Sequence, residues 1–99
     1  MRGRQPAVYM MASGRNGTIY VGVTSDLVRR AWEHRTHARA GFTSRYGCVL
    51  LVWFELAESM DAAIQREKQI KGGSRARKLA LIEAGNPAWR DLYVGLVGE

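Results

Sequence analysis

The sequence predicts an α+β domain in which a small, mostly antiparallel three-stranded sheet is flanked by helices. Two apolar runs of strand length flank a short turn, and a third such run follows much later in the chain. Three other segments carry the start and stop signals of helices. The predicted order of elements is therefore ββαβαα.

The first two strands are predicted to form an antiparallel hairpin. Residues 7–12 (AVYMMA) and 18–23 (TIYVGV) are short and apolar, and the stretch SGRNG separates them. Asn16 followed by Gly17 is a strong hairpin signal, because both residue types accept the positive φ of tight turns. Residues 48–56 (CVLLVWFEL) form the predicted third strand, which is apolar enough to be covered on both faces.

Capping residues delimit three predicted helices. The helices are expected to begin at Ser25 or Asp26, at Ser59 and at Ser74. They are expected to end near His37, before Gly72-Gly73 and at Gly85. Residues 38–47 are expected to be a loop, and the aromatic tail NPAWRDLY is expected to dock on the core without regular structure. The chain, 1–99, is expected to be a single domain with its core at about 6–93.

Composition limits the class of protein. With 46% hydrophobic and 24% charged residues, the 99-residue chain has the composition of one folded domain rather than of a disordered segment. Its apolar runs are shorter than the ~18 residues that cross a bilayer, so we expect no membrane span, no signal peptide and a cytoplasmic location. The lone Cys48 cannot form an internal disulfide and is expected in the core.

The excess positive charge is concentrated in one half of the chain. Residues 1–50 contain eight arginines and two acidic residues, whereas residues 51–99 contain seven basic and seven acidic residues, so the first half carries the whole net charge of +6. This asymmetry favours a polyanionic partner, nucleic acid above all, and arginine favours two-pronged contacts with phosphate. The alternative is a charged surface that only keeps the protein soluble. The predicted nucleic-acid contacts are Arg29, Arg35, Arg39, Arg45 and Lys71.

The first predicted helix places two polar residues beside its apolar face. At 100° per residue, Arg30 and His34 lie within about 60° of Leu27 on one side, while Arg29 and Glu33 point away. This ridge could hold a phosphate against the sheet. The alternatives are a nearby carboxylate as the partner of Arg30 and a hydrogen-bonded, semi-buried imidazole for His34.

The second predicted helix carries an acid on its apolar face. Glu67 shares that face with Met60, Ala63 and Ile70. A buried carboxylate without a partner is costly or becomes protonated, so Glu67 needs a cation, whether an arginine, a lysine or a metal. An internal salt bridge with Arg30 is the alternative to a functional role.

Two tyrosines occupy matching positions in the predicted hairpin. Tyr9 and Tyr20 are each the third residue of a short apolar run and stand eleven positions apart. We expect them to be near neighbours on one face of the sheet, which cross-strand packing alone would explain. The convergence of two phenols, a guanidinium, an imidazole and a carboxylate instead favours a functional site.

This set of residues resembles the GIY-YIG nuclease superfamily, and in particular its small stand-alone bacterial members. The resemblance rests on Ala7-Val8-Tyr9, Tyr20-Val21-Gly22, Arg30, His34 and a helical Glu67, with support from FTSRYG, REKQIK and NPAWRDLY. It covers about residues 6–93. The sequence departs from the family pattern at Ala7, where the first motif has glycine, and at Gly72-Gly73, where basic or aromatic residues are expected.

The resemblance implies a metal-dependent endonuclease that hydrolyses DNA and has a role in DNA repair or processing. The catalytic residues that it implies are Tyr9, Tyr20, Arg30, His34, Glu67 and Asn86. One of the two tyrosines would activate or position the attacking water, the arginine would hold the scissile phosphate and the glutamate would bind the metal. His34 is the rival general base, because the unperturbed pKa of histidine, about 6.5, suits neutral pH.

The expected cofactor is a single Mg²⁺ or Mn²⁺ at Glu67. No second acid shares the face of Glu67, and Mg²⁺ accepts one or two carboxylates together with water and phosphate. DNA is favoured over RNA, and the form of the substrate, a protein partner and a dimer stay open. The competing hypothesis is a non-catalytic nucleic-acid-binding module with a vestigial site. A protein-interaction module that uses the aromatic tail is a weaker third hypothesis.

Overall fold

The computed structural model describes residues 5–36 and 46–97 and confirms the predicted α+β class. Its elements are β1 (Ala7–Ala12), β2 (Ile19–Thr24), α1 (Leu27–Thr36), β3 (Leu50–Leu56), α2 (Met60–Lys71), α3 (Arg75–Gly85) and α4 (Tyr93–Val97). The order contains the predicted ββαβαα and adds the short α4. Most of the predicted loop, including Arg39 and Arg45, lies outside the described residues. His37, the predicted end of the first helix, also lies outside them.

The three strands form an antiparallel sheet in the order β2-β1-β3. Every residue of the central strand, β1, is buried, because β1 has a strand on each side and helices over both faces. The expectation that β3 is covered on both faces is wrong at its end, where Glu55 and Leu56 are exposed. β3 is an edge strand, and its last residues stay exposed although Arg66 of α2 pairs with Glu55.

The turn between β1 and β2 confirms the predicted hairpin. The Gly17 N–H donates to the carbonyl of Gly14 at 2.9 Å, so Arg15 and Asn16 form the centre of the turn. Asn16 has a φ of +58°, a left-handed conformation that asparagine tolerates well. The turn therefore uses Asn16 as its left-handed residue and Gly17 as its closing residue.

The side chains of β1 alternate between two hydrophobic clusters, one on each face of the sheet. One cluster packs under α1 and includes Tyr9, Met11, Leu27, Ala31, Cys48 and Leu51. The other packs under α2 and α3 and includes Val8, Met10, Val21, Val52, Ile70 and Ile82. Burial on both faces explains why β1 is apolar throughout. The predicted core position of Cys48 is confirmed.

Side-chain caps fix the starts of the helices. The Arg29 N–H donates to Oδ1 of Asp26 at 3.3 Å, so Asp26 rather than Ser25 caps α1. Ser59 and Ser74 cap α2 and α3 as predicted, each by accepting a backbone hydrogen bond. No helix in the described ranges is long and apolar enough to span a membrane.

The C-terminal tail docks on the core, as expected. Trp89 is buried, and its indole N–H donates to the carboxylate of Glu83 at 3.1 Å. The Leu92 N–H donates to the carbonyl of Leu51 at 2.7 Å. The following residues, YVGLV, form α4 against α1. The sequence did not predict this helix, because it is one turn long and contains Gly95, so that only its packing supports it.

Candidate active site

Three aromatic rings meet between the hairpin and α1. The ring centroids of Tyr9 and Tyr20 are 6.3 Å apart, and the centroid of His34 lies 5.6 Å from that of Tyr9 and 5.4 Å from that of Tyr20. The Tyr9 hydroxyl and His34 Nε2 are 2.9 Å apart and share a hydrogen bond. The structure therefore brings these three predicted site residues together on one face of the sheet.

The register of the hairpin places the two tyrosines as diagonal neighbours. Tyr9 lies opposite Gly22, and Tyr20 lies opposite Met11. A Cβ atom on Gly22 would stand 2.6 Å from the Tyr9 hydroxyl oxygen and 2.9 Å from Cε2 of Tyr20. Both phenol rings thus occupy space that only glycine leaves open. Gly22 belongs to the motif Tyr20-Val21-Gly22, and the alternation of residues along β2 could have indicated this role for the glycine.

Arg30 approaches the aromatic rings from α1. Its Nε is 3.3 Å from Oε1 of Glu33, and the Arg29 Nε is 3.5 Å from Oε2 of the same carboxylate. Glu33 is paired with the outward-facing Arg29 as well as with Arg30, and its side chain is only 14% exposed. The carboxylate partner foreseen for Arg30 is therefore Glu33, one helical turn along the chain.

The pKa of the Tyr9 phenol responds to the charged groups of the site. Burial raises the pKa of Tyr9 far above its ordinary value, and the charges of Tyr20 and Glu67 raise it further. The charge and hydrogen bonding of Arg30 lower it, but by less than burial raises it. For Tyr9 burial outweighs the neighbouring cation, and the phenol is neutral at physiological pH.

Glu67 is paired with a lysine of its own helix. Its Oε2 is 3.1 Å from the Lys71 Nζ, and its side chain is only 16% exposed. The predicted need for a cation is thus met by Lys71, whereas the salt bridge with Arg30 is not seen in the described part of the chain. The charge of Glu67 also helps to raise the pKa of Tyr9.

The donor set around Glu67 suits a magnesium-like ion better than a zinc-like one. Within residues 5–36 and 46–97 no three His, Cys, Asp or Glu side chains form a metal-binding group. Zinc in proteins takes three or four such ligands, whereas Mg²⁺ binds through one or two carboxylates and completes its shell with water and phosphate. A nearly buried carboxylate held by a displaceable lysine fits the second type of ion.

A comparison with protein families identifies the domain. The model of the GIY-YIG catalytic domain matches residues 5–80, which contain both tyrosines, Arg30, His34 and Glu67. The chain belongs to the GIY-YIG family. This is a family of nuclease domains, and its substrates are nucleic acids.

Curated relatives of this GIY-YIG domain are small proteins from bacteria and archaea. A UPF0213 protein of Desulfotalea psychrophila is 34% identical over 79% of this chain and 72% of its own length. One from Natronomonas pharaonis is 39% identical over 76% of this chain and 87% of its own length. The solution NMR structure of a UPF0213 protein from Bacillus halodurans is similar with a TM-score of 0.55 and 25% identity, covering 96% of this chain and 99% of that one. This chain therefore shares the fold of a small single-domain protein.

The structure does not bring Asn86 to the site of the GIY-YIG domain. Its amide nitrogen donates to the carbonyls of Val52 at 3.1 Å and Arg90 at 2.8 Å, and its Oδ1 accepts the Arg90 N–H at 3.0 Å. Asn86 thereby closes α3 against β3, the edge strand on the far side of β1 from Tyr20. Asn86 therefore has a structural role, since its amide nitrogen and its oxygen are all hydrogen-bonded within the fold, and its catalytic role stays a prediction.

The residues that were predicted to contact nucleic acid differ in exposure and in their salt-bridge partners. Arg29 has a side chain that is 70% exposed, and Lys71 is half-exposed but bound to Glu67. Arg35 forms a salt bridge with Asp91 and stacks 4.6 Å from the centroid of Tyr93, so it holds the tail although its side chain is still 33% exposed. Arg39 and Arg45 lie outside the described residues. Arg29 and Lys71 are therefore the described candidates for contacts with a phosphate backbone.

Proposed function

We propose that this GIY-YIG domain is a metal-dependent endonuclease that hydrolyses phosphodiester bonds of DNA. The observation that carries the proposal is the convergence on the Tyr9 phenol of two aromatic rings and of the charges of Arg30 and Glu67. These groups come from two strands and two helices, and each has a task in phosphodiester hydrolysis. Aromatic packing alone needs neither a cation nor an anion beside it.

Arg30 is the proposed ligand of the scissile phosphate. Its side chain is about one-third exposed, and Glu33 holds it through Nε. An arginine held in this way presents its terminal N–H groups to the non-bridging oxygens of a phosphate and stabilises the charge that develops in the transition state. Glu33 is accordingly a positioning residue, since it acts on the reaction through Arg30.

The attacking water is proposed to lose its proton through Tyr9 and His34. A free Tyr9 phenolate is unfavourable, because the phenol is buried and its pKa is raised. Its hydrogen bond with His34 Nε2 allows the phenol to pass its own proton to a neutral imidazole while it accepts one from water. Tyr9 then stays neutral, and the proton ends on His34. Tyr20, which contacts both rings, keeps them in place for this transfer.

Glu67 is the proposed ligand of the divalent cation, Mg²⁺ or Mn²⁺. A bound cation would neutralise charge on the phosphate and on the leaving oxygen. Glu67 contributes one carboxylate from α2, whose charge acts on Tyr9, so that substrate and water would complete the coordination. A preference for DNA over RNA, activity on branched or single-stranded forms and a role in DNA repair or processing belong to this proposal through the family resemblance.

The proposal is tested with purified protein and labelled flap, nicked, single-stranded and duplex DNA, beside a single-stranded RNA. We expect cleavage of at least one DNA form with Mg²⁺ or Mn²⁺ and none with EDTA. Salt-dependent binding without cleavage of any substrate would instead support the competing hypothesis of a non-catalytic binding module. The absence of both binding and cleavage would overturn both nucleic-acid hypotheses.

A further inference from the structure

The ion pair between Glu67 and Lys71 occupies the carboxylate that the proposed function assigns to the metal. The Lys71 Nζ stands 3.1 Å from Oε2 of Glu67, one helical turn along α2. Glu67 is nearly buried, whereas the Lys71 side chain is 53% exposed. The anion is thus fixed in the site, and its cation lies at the surface on a flexible stem.

We propose that Lys71 is an internal competitor of the divalent cation, which it opposes by binding the same carboxylate. This inference rests on the proposed function, because it takes Glu67 as the metal ligand. An ammonium group and a divalent cation cannot both sit against Oε2 without strong repulsion. Lys71 therefore leaves Glu67 when the metal binds, and the free energy of breaking the ion pair is subtracted from that of metal binding.

The exposure of Lys71 sets the size of this effect. A pair with one half-exposed partner contributes little, so its loss weakens metal binding by only about two- to fivefold. A competitor of this strength offsets the charge of Glu67 in the free protein and can still be displaced by a divalent cation. The location of Lys71 on the last turn of α2, directly before Gly72, gives its side chain room to turn away.

The inference is tested by titrating the full chain with Mn²⁺ in the absence of nucleic acid and measuring free Mn²⁺ by electron paramagnetic resonance. Lys71→Gln removes the competitor and is expected to bind Mn²⁺ about two- to fivefold more tightly than the wild type. The matched control is Lys68→Gln, which removes the same charge from the exposed side of the same turn and is expected to change the affinity by less than half as much. Lys71→Arg keeps the ion pair and is expected to bind Mn²⁺ like the wild type.

The variant Glu67→Gln separates a failure of this inference from a failure of the proposed metal site. If Glu67→Gln loses Mn²⁺ binding and Lys71→Gln binds like the wild type, the competitor role is wrong and the metal site stands. An equal gain in Mn²⁺ affinity in Lys71→Gln and Lys68→Gln would also refute the role of Lys71 as a competitor. Such a gain would reflect the lower positive charge of the whole protein. If Glu67→Gln binds Mn²⁺ like the wild type, both the metal site and the competitor are wrong.

Discussion

The Tyr9 hydroxyl lies within hydrogen-bond distance of His34 Nε2, at 2.9 Å, in the interior between the central strand and α1. The strand supplies a phenol that burial keeps neutral, and the helix supplies an imidazole nitrogen that can accept the phenol proton. Their contact joins the two residues that the sequence offered as rival bases. In the proposed mechanism Tyr9 and His34 therefore have successive roles in one proton transfer.

Replacing Tyr9 by Phe is expected to lower the rate of DNA cleavage by about 10²-fold or more, since it removes the hydroxyl that passes the proton. The fold should survive, with a loss of roughly 1 kcal/mol from the missing hydrogen bond. Cleavage rates and urea unfolding measure the two effects. The control is Tyr93→Phe, in which the ring that stacks on Arg35 is retained; an equal loss of activity in both variants would contradict the role of Tyr9.

Replacing Gly22 by Ala is expected to displace the rings of Tyr9 and Tyr20, because the new Cβ would stand under 3.0 Å from both. We expect a destabilisation of about 1–3 kcal/mol from overpacking and a severe loss of cleavage. Gly14→Ala is the matched control, since a Cβ there meets nothing within 4 Å. Urea unfolding and cleavage rates should separate the two alanine variants, and similar behaviour of both would argue against the close packing at Gly22.

Replacing Arg30 by Lys keeps the charge but removes the planar group that grips two phosphate oxygens. The cleavage rate is expected to fall by roughly tenfold or more, with a smaller change in DNA affinity. Arg66→Lys is the control, because Arg66 is equally exposed and is also paired with a carboxylate, that of Glu55. A rate for Arg30→Lys that matches that of Arg66→Lys would show that Arg30 serves only the fold.

The raised pKa of Tyr9 predicts a loss of stability in alkali. The unfolded chain releases the phenol proton near pH 10, whereas the folded protein retains it. This contribution is fully present below pH 10 and declines as the pH rises towards the folded pKa. Between about pH 9.5 and 11 the unfolding free energy of Tyr9→Phe is therefore expected to fall less steeply than that of the wild type, as urea titrations would show. Parallel slopes would mean that burial does not raise the pKa of Tyr9 in the folded protein.

The pairing of Arg35 with Asp91 predicts a structural role for this arginine. Asp91 also accepts the backbone N–H groups of Leu51 at 3.2 Å and Tyr93 at 3.1 Å, so the pair anchors the tail to β3. Arg35→Gln is expected to destabilise the domain by about 1 kcal/mol, since the arginine is partly exposed. Arg29→Gln should leave urea unfolding almost unchanged; if the two variants unfold alike, the anchor contributes nothing.

Local signals made most of the fold predictable. Ser59 and Ser74 cap their helices because a serine hydroxyl accepts a backbone N–H of the first turn, and the short apolar runs favoured strands of a small sheet. The order of the strands did not follow, because β1 and β3 are both apolar and their positions depend on pairing between distant residues. The fold of the tail also depends on tertiary contacts.

The residues of the site were predictable by type and spacing, but their partners were not. Spacing placed Arg30 beside His34 and singled out Glu67 as an acid among apolar residues. It could not decide which charges would pair. Arg30 has Glu33 close by on its own helix, and Glu67 has Lys71 close by on its own helix, whereas Arg30 and Glu67 lie on different helices. The neighbours within each helix formed the pairs, because they meet at little cost in chain entropy.

The central claim, that Glu67 serves a metal-dependent cleavage site, is tested most directly by one comparison of rates. The initial rate of DNA cleavage is measured with Mg²⁺ for the wild type, for Glu67→Gln and for Glu58→Gln, which neutralises an exposed acid outside the site. The account predicts that Glu67→Gln loses at least about 10²-fold in rate while it still binds DNA, and that Glu58→Gln cleaves like the wild type. A Glu67→Gln variant that cleaves at the wild-type rate would contradict it.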